Sequence, residues 1–295
     1  MELGRGAYLA PGVGSTTYLD PMLESLRQSG YGCSIGSHFF GALAYADDIM
    51  IMATSVQGLQ EMVKLCEEHA TENDLVFSTD ADPRKSKTMC MAFNCQNKEQ
   101  LASIRLNNDD LPWVSRAKHI GNILYEDGSS GYDLETKKGI FIQTAMDLNQ
   151  EFFSLPPDLK FRMCELYNSH FSSSNIWKLD SQQAHHLYSA WNKNIKVIYD
   201  LPWSTHRWVI EEITGKSLQV MLLKRFLKFT SSILKTTKPF IKFLLRAVSA
   251  DVRSNTGSNL RTILLKTGVQ AVPGISGITM PWQIKMKRLD KVPGG

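Results

Sequence analysis

Apolar positions along the chain follow two regimes. In the first, apolar residues come in short runs. Residues 39–45 and 49–54 are both apolar and rich in strand formers, and each is too short for an independent helix. Between them lie Asp47 and Asp48, at the reversal of a predicted β-hairpin, where Asp suits the turn because its carboxylate can cap turn backbone. Residues 18–30 predict a helix with Met22, Leu23 and Leu26 apolar and Gly30 as its stop. Residues 55–73 predict a second helix, with Ser55 as N-cap and Leu59, Met62, Val63, Leu65 and Cys66 on its apolar face. Short strands are expected at 75–78, 86–93, 101–105, 111–114 and 119–124. The polar stretch STDADPRKSK makes a turn between the first two.

The second regime begins near residue 128. Amphipathic helical segments run over 133–153, 157–170, 181–199 and 206–246, with Pro156-Pro157 and Leu201-Pro202 as breaks. Residues 251–295 carry little periodic signal. The pattern therefore predicts an α+β layer over 1–127, in which helices pack on a short antiparallel sheet. An all-helical part follows, split into 128–210 and a basic region, 211–295, that ends in a loose tail.

Charge sharpens this division. Residues 1–150 hold 12 Lys and Arg against 20 Asp and Glu, a balance of −8; residues 151–295 hold 21 against 9, a balance of +12, which together give the formal +4. From Ile213 to Ala250 there is no acid, while Lys216, Lys224, Arg225, Lys228, Lys235, Lys238, Lys242 and Arg246 supply eight cations. Phe226, Phe229, Phe240 and Phe243 are interleaved with them. At helical spacing these aromatics read as core and the lysines as a surface for phosphates, where binding is sequence-independent and releases counterions. An ordinary solvated face is the alternative.

Cysteine usage fits buried thiols better than a disulfide framework. The five cysteines are scattered and odd in number, which fits a reducing compartment. Cys90 and Cys95 lack partners at zinc spacing and His185-His186 is adjacent, so no zinc site is expected. No run reaches the ~18–20 apolar residues of a membrane span and the N-terminus does not read as a signal peptide, so an intracellular location and no membrane partner are expected.

Two carboxylates at a hairpin tip beside apolar strands suit a hard divalent cation, which takes oxygen ligands and relieves their mutual repulsion. An aspartate turn with no such role is the alternative. The surrounding chain favours the cation. Tyr45-Ala46-Asp47-Asp48 is the form this hairpin takes in reverse transcriptases of non-LTR retrotransposons, and residues 18 to about 265 resemble the second half of such an enzyme, of the Jockey or CR1 type. YLDPMLESLRQSGYG is similar to the helix after the template-binding loop, AYADDIMIMA to the catalytic hairpin, and LVFSTDADPRKSKTMCMAF to a strand–turn–strand carrying a lysine near the nucleotide. HIGNIL resembles the hairpin that grips the primer terminus. SSNIWKLD, AWNKNIKVIYDLP and THRWVIEEITG are similar to the helical region beyond the palm.

The resemblance implies RNA-directed DNA polymerisation by two Mg²⁺ (or Mn²⁺) ions about 3.5–4 Å apart. It implies Asp47 and Asp48 as ligands and catalytic residues, and Tyr45 and Ala46 along the primer end. Lys87 falls near the triphosphate, with Lys85 as its rival, and His119 and Gly121 fall at the primer grip. Lys224, Arg225, Lys228, Lys235 and Lys242 fall on the nucleic-acid backbone of a helical thumb. RNA template and DNA primer would be the partners, and the nucleus the location of a working retroelement product. Before Asp47 the acids are Glu2, Asp20 and Glu24, none placed as the further catalytic aspartate that family uses, and the template loop is reduced to APGVGSTT. The chain is therefore expected to polymerise poorly or not at all by itself. A non-catalytic RNA- or DNA-binding remnant is the alternative.

Overall fold

The computed structural model describes residues 14–46, 48–80, 82, 85–168 and 171–267. The fold is α+β, and the chain divides into two compact units, the first ending at Ser129 and the second starting at Ser130.

In the first unit, α1 (Gly14–Gln28) and α2 (Val56–Glu72) flank the hairpin of β3 (Ala42–Tyr45) and β4 (Asp48–Ile51) in sequence. The Ser55 hydroxyl accepts from the Gly58 N–H at 3.0 Å, which satisfies one of the free donors at the start of α2. Met62, Val63 and Cys66 are buried on α2 and meet Met22 and Leu26 of α1 in one core, with Ile49 of β4. That contact surface explains why both helices form: each presents an apolar stripe that the other covers.

Three further hairpins occur: β1 (Ser34–Ile35) with β2 (His38–Phe39), β5 (Ile104–Leu106) with β6 (Asp109–Leu111), and β7 (Arg116–His119) with β8 (Asn122–Tyr125). Among the described residues the strands make four separate two-stranded ladders. This corrects the expected single short sheet. The stretches 75–78 and 86–93, expected as strands, form none. Their polar groups bond locally instead: the Thr88 hydroxyl donates to the Ser78 carbonyl at 2.8 Å and the Ser86 hydroxyl to the Thr88 carbonyl at 2.6 Å. Such side-chain bonds compete with ladder pairing. One parallel bridge remains, Cys90 to Trp113. The segment 119–124, expected as a short strand, holds the end of β7, the reversal and the start of β8.

The second unit is helical: α3 (Gly131–Glu151), α4 (Pro157–Asn168), α5 (Gln182–Ile198), α6 (Arg207–Thr214), α7 (Leu218–Lys235), α8 (Pro239–Ala250) and α9 (Asn255–Thr267). The expected helix over 206–246 is three helices. Gly215 ends α6 at φ 62, a left-handed conformation cheap for glycine, and Pro239 opens α8 at its first turn, where its missing N–H costs nothing. One buried cluster runs from Leu134 through Ile210 to Ile263, so residues on both sides of position 210 share a core.

The start of the stretch expected to be loose is fixed. Asn259 of α9 is fully buried; its side-chain Oδ1 accepts from the Leu179 N–H at 2.9 Å and its side-chain Nδ2 donates to the Trp177 carbonyl at 2.8 Å. Ser258 donates to the Asp180 carboxylate at 2.9 Å. Trp177, also buried, donates its indole N–H to Asp133 at 2.7 Å. The SSNIWKLD segment is thus held on both sides.

Candidate functional site

The β3–β4 hairpin pairs Ala42 with Ile51, Leu43 with Met50, Ala44 with Ile49 and Tyr45 with Asp48. Opposed residues share a face. Ile49 is buried, and Ala42 and Ile51 pack on the core beside it; Leu43 and Tyr45 on the other face are half or more exposed. Asp48 therefore stands on the open face beside Tyr45, half-buried, at the last rung before the reversal. The base of the hairpin is anchored: the Met52 N–H donates to the Gly41 carbonyl at 2.7 Å and the Cys33 N–H to the Met52 carbonyl at 3.0 Å. A Cβ on Gly41 would lie 2.5 Å from the Phe39 ring, so a larger residue there makes that ring shift. Asp47 lies outside the described residues.

Each of the four hairpins reverses across two positions, and the first of the two has a positive φ every time: Gly36 at 60°, Ala46 at 54°, Asn107 at 53° and Ile120 at 47°. Tight hairpin turns demand this conformation, and Gly and Asn supply it readily. Ala and Ile do not; a β-branched residue there is an outlier, and such outliers cluster at functional sites. The two strained reversals are those at Ala46 and Ile120, the tips of AYADDIMIMA and HIGNIL. His119 pairs with Asn122 across the second tip, half-buried, and Gly121 follows at φ 74. Lys85 and Lys87 are both exposed and flank the buried Ser86 in the loop that Thr88 ties to Ser78.

Among the described residues no group of three or more His, Cys, Asp or Glu could hold a metal. Asp48 is the carboxylate of this hairpin among the described residues. The cysteines are free thiols; burial pushes Cys66 up to about 12 and Cys90 up to about 11.

On α7, Lys224, Lys228 and Lys235 stand at i, i+4 and i+11. These spacings bring them onto one face, opposite the buried Leu222, Leu223, Phe226 and Leu227. Lys228 and Lys235 are exposed and Lys224 half-buried. On α8, Lys242 and Arg246 continue from the N-cap Lys238 at i+4 and i+8, a second stripe that spacing alone could have signalled. Arg225 does not share the first stripe; it turns toward a cavity with Arg162 of α4. The aromatics divide. Phe226 is core and Phe240 half-buried, but Phe229 and Phe243 are 38% and 39% exposed, which corrects the reading of all four as core. Phe229 sits at the edge of the buried face of α7, where helix rotation leaves it part-covered.

No helix among the described residues is long and apolar enough to cross a membrane. No protein-family model matches the chain, and no curated protein matches it in sequence.

Proposed function

We propose that this chain is the palm-and-thumb part of a non-LTR-retrotransposon reverse transcriptase. In isolation it grips nucleic acid without extending a primer. The observation that carries the reading is where backbone strain falls. Of four two-residue reversals, the two built on unfavourable residues are at Ala46 and Ile120. Those are the tips that the resemblance assigns to the metal-binding hairpin and the primer grip. Strain at a tip is retained where its geometry serves a task. In this reading Asp47 and Asp48 are ligands for Mg²⁺ or Mn²⁺, Tyr45 and Ala46 line the primer end, His119 and Gly121 grip it, and Lys87 approaches the triphosphate.

A non-catalytic RNA- or DNA-binding role is the second reading, favoured by the lysine stripe of α7 and the cations of α8. Both readings require phosphate contacts from Lys224, Lys228, Lys235 and Lys242, with a nuclear location if the chain serves a retroelement. They separate on chemistry. The purified chain on a primed RNA template, with Mg²⁺ and then Mn²⁺, is expected to leave the primer unextended, because one or two carboxylates position too few metal bonds. Extension that disappears in Asp48→Asn would show that the chain completes its own metal site, and the claim of inactivity in isolation would fall.

A further inference from the structure

A groove of about 800 Å³ runs between α3 and α5 in the second unit. Both helices line it at the same spacing. On α3, Lys138, Phe141, Ile142, Ala145, Met146 and Asn149 fall at i, i+3, i+4, i+7, i+8 and i+11. On α5, His186, Ser189, Ala190, Lys193, Asn194 and Val197 repeat those intervals. Such spacing keeps residues on one helix face, so the groove follows both helices for about three turns, or about 16 Å. Its walls are pinned to each other. The Asn149 side-chain Nδ2 donates to the Asn194 Oδ1 at 2.9 Å, and the His186 Nδ1 lies 3.5 Å from the Glu135 carboxylate.

Floor and rim differ. Phe141 and Ala145 are buried, but Ile142 is 40%, Val197 52% and Met146 61% exposed. Large apolar side chains left open to water along a groove mark a surface that another body covers. Charge narrows the choice of that body. No acid lines the groove, while Lys138, His186 and Lys193 do. Glu135 answers Lys138 and His186 at one end, and Gln143 donates to Asp147 at 2.8 Å on the opposite side of α3. Lys193 is exposed, on the same face as Ala190 and Val197. A second copy of this chain would set lysine against lysine across a two-fold contact. A phosphate backbone would leave Ile142, Met146 and Val197 without apolar cover. A helix with an apolar stripe and acids at its border answers both the rim and the charge.

We propose that the α3–α5 groove is the docking site for an acidic amphipathic helix of a partner protein. The apolar stripe of that helix lies over Phe141, Ile142, Met146 and Val197, and an Asp or Glu at its border faces Lys193. The site goes beyond the polymerase reading and does not rest on it.

The test uses the full chain, ¹³C-labelled at its methionine methyls, and a helix-stapled peptide of leucine and glutamate with its leucines along one face. The Met146 resonance is identified by its loss in Met146→Leu. Saturable binding that moves this resonance is expected. Lys193→Glu and Met146→Glu should each weaken it about tenfold, and a peptide with lysine in place of glutamate should bind the native chain about tenfold more weakly. Both substituted side chains are exposed, so the variants probe the groove and not the core. A folded chain whose Met146 resonance ignores the glutamate peptide would overturn the proposal, as would equal affinity for the two peptides. So would a primed RNA template that moves the Met146 resonance and displaces the peptide, since the groove would then belong to nucleic acid.

Discussion

At the scale of the residue, the informative positions are those that break a local rule. Ile120 holds φ 47 although it is β-branched and half exposed, so it gives little packing in return. Ile120→Asn would place an Asn-Gly pair at a reversal that favours it. We expect the variant to gain about 1 kcal/mol of stability, read as a higher denaturant midpoint at unchanged slope. A loss of that size would mean the Ile side chain packs better than its exposure shows. Buried thiols give a second test. Burial raises Cys66 to about 12 and Cys90 to about 11, above the unfolded thiol at about 8.5. The native state then keeps its thiol protons where the unfolded state releases them. The stability this contributes is complete below the unfolded value and drains away as pH rises through the native ones. The urea midpoint should fall from about pH 8.5, the unfolded value, up to the native values of about 11 and about 12, and Cys66→Ala should flatten that fall. An unchanged slope in the variant would remove Cys66 as a cause.

At the scale of the element, α9 is held by polar bonds of Asn259 and Ser258 as well as by Ile263 in the core. Asn259→Ala leaves the Leu179 N–H and the Trp177 carbonyl without their partner inside the second unit. The expected cost is about 2–4 kcal/mol, and Asn255→Ala, at a less buried position, should cost less. Equal costs would deny Asn259 its special place. This element also shows what the sequence does and does not make legible. The Ser55 cap and the buried stripe of α2 follow from spacing within one helix, and both are found where spacing puts them. The hairpin around Asp48 is legible for the same reason, since its alternation and its turn are local. Asn259 meets a segment about eighty residues away, and no local period announces that. The stretches 75–78 and 86–93 have strand composition, yet hydroxyl bonds within the loop take the place of a ladder. Composition counts propensity, while pairing depends on which backbone groups are still free.

At the scale of the whole molecule, charge and chemistry are divided between two units. The first holds the aspartate hairpin and the second strained reversal. The second holds a buried helical core with cations on the outer faces of α7 and α8. In the proposed reading these faces grip the phosphate backbone, and affinity should depend on salt rather than on sequence. The most direct test is the affinity of the chain for a primed RNA template across a series of salt concentrations, beside the variant in which Lys224, Lys228 and Lys235 are changed together to Gln. The account predicts steep weakening with salt for the native chain, and a log–log slope smaller by about two to three in the variant, each lost phosphate contact removing about 0.7–0.9. Binding of the same slope in both proteins, or no salt-dependent binding by a folded native chain, would contradict it.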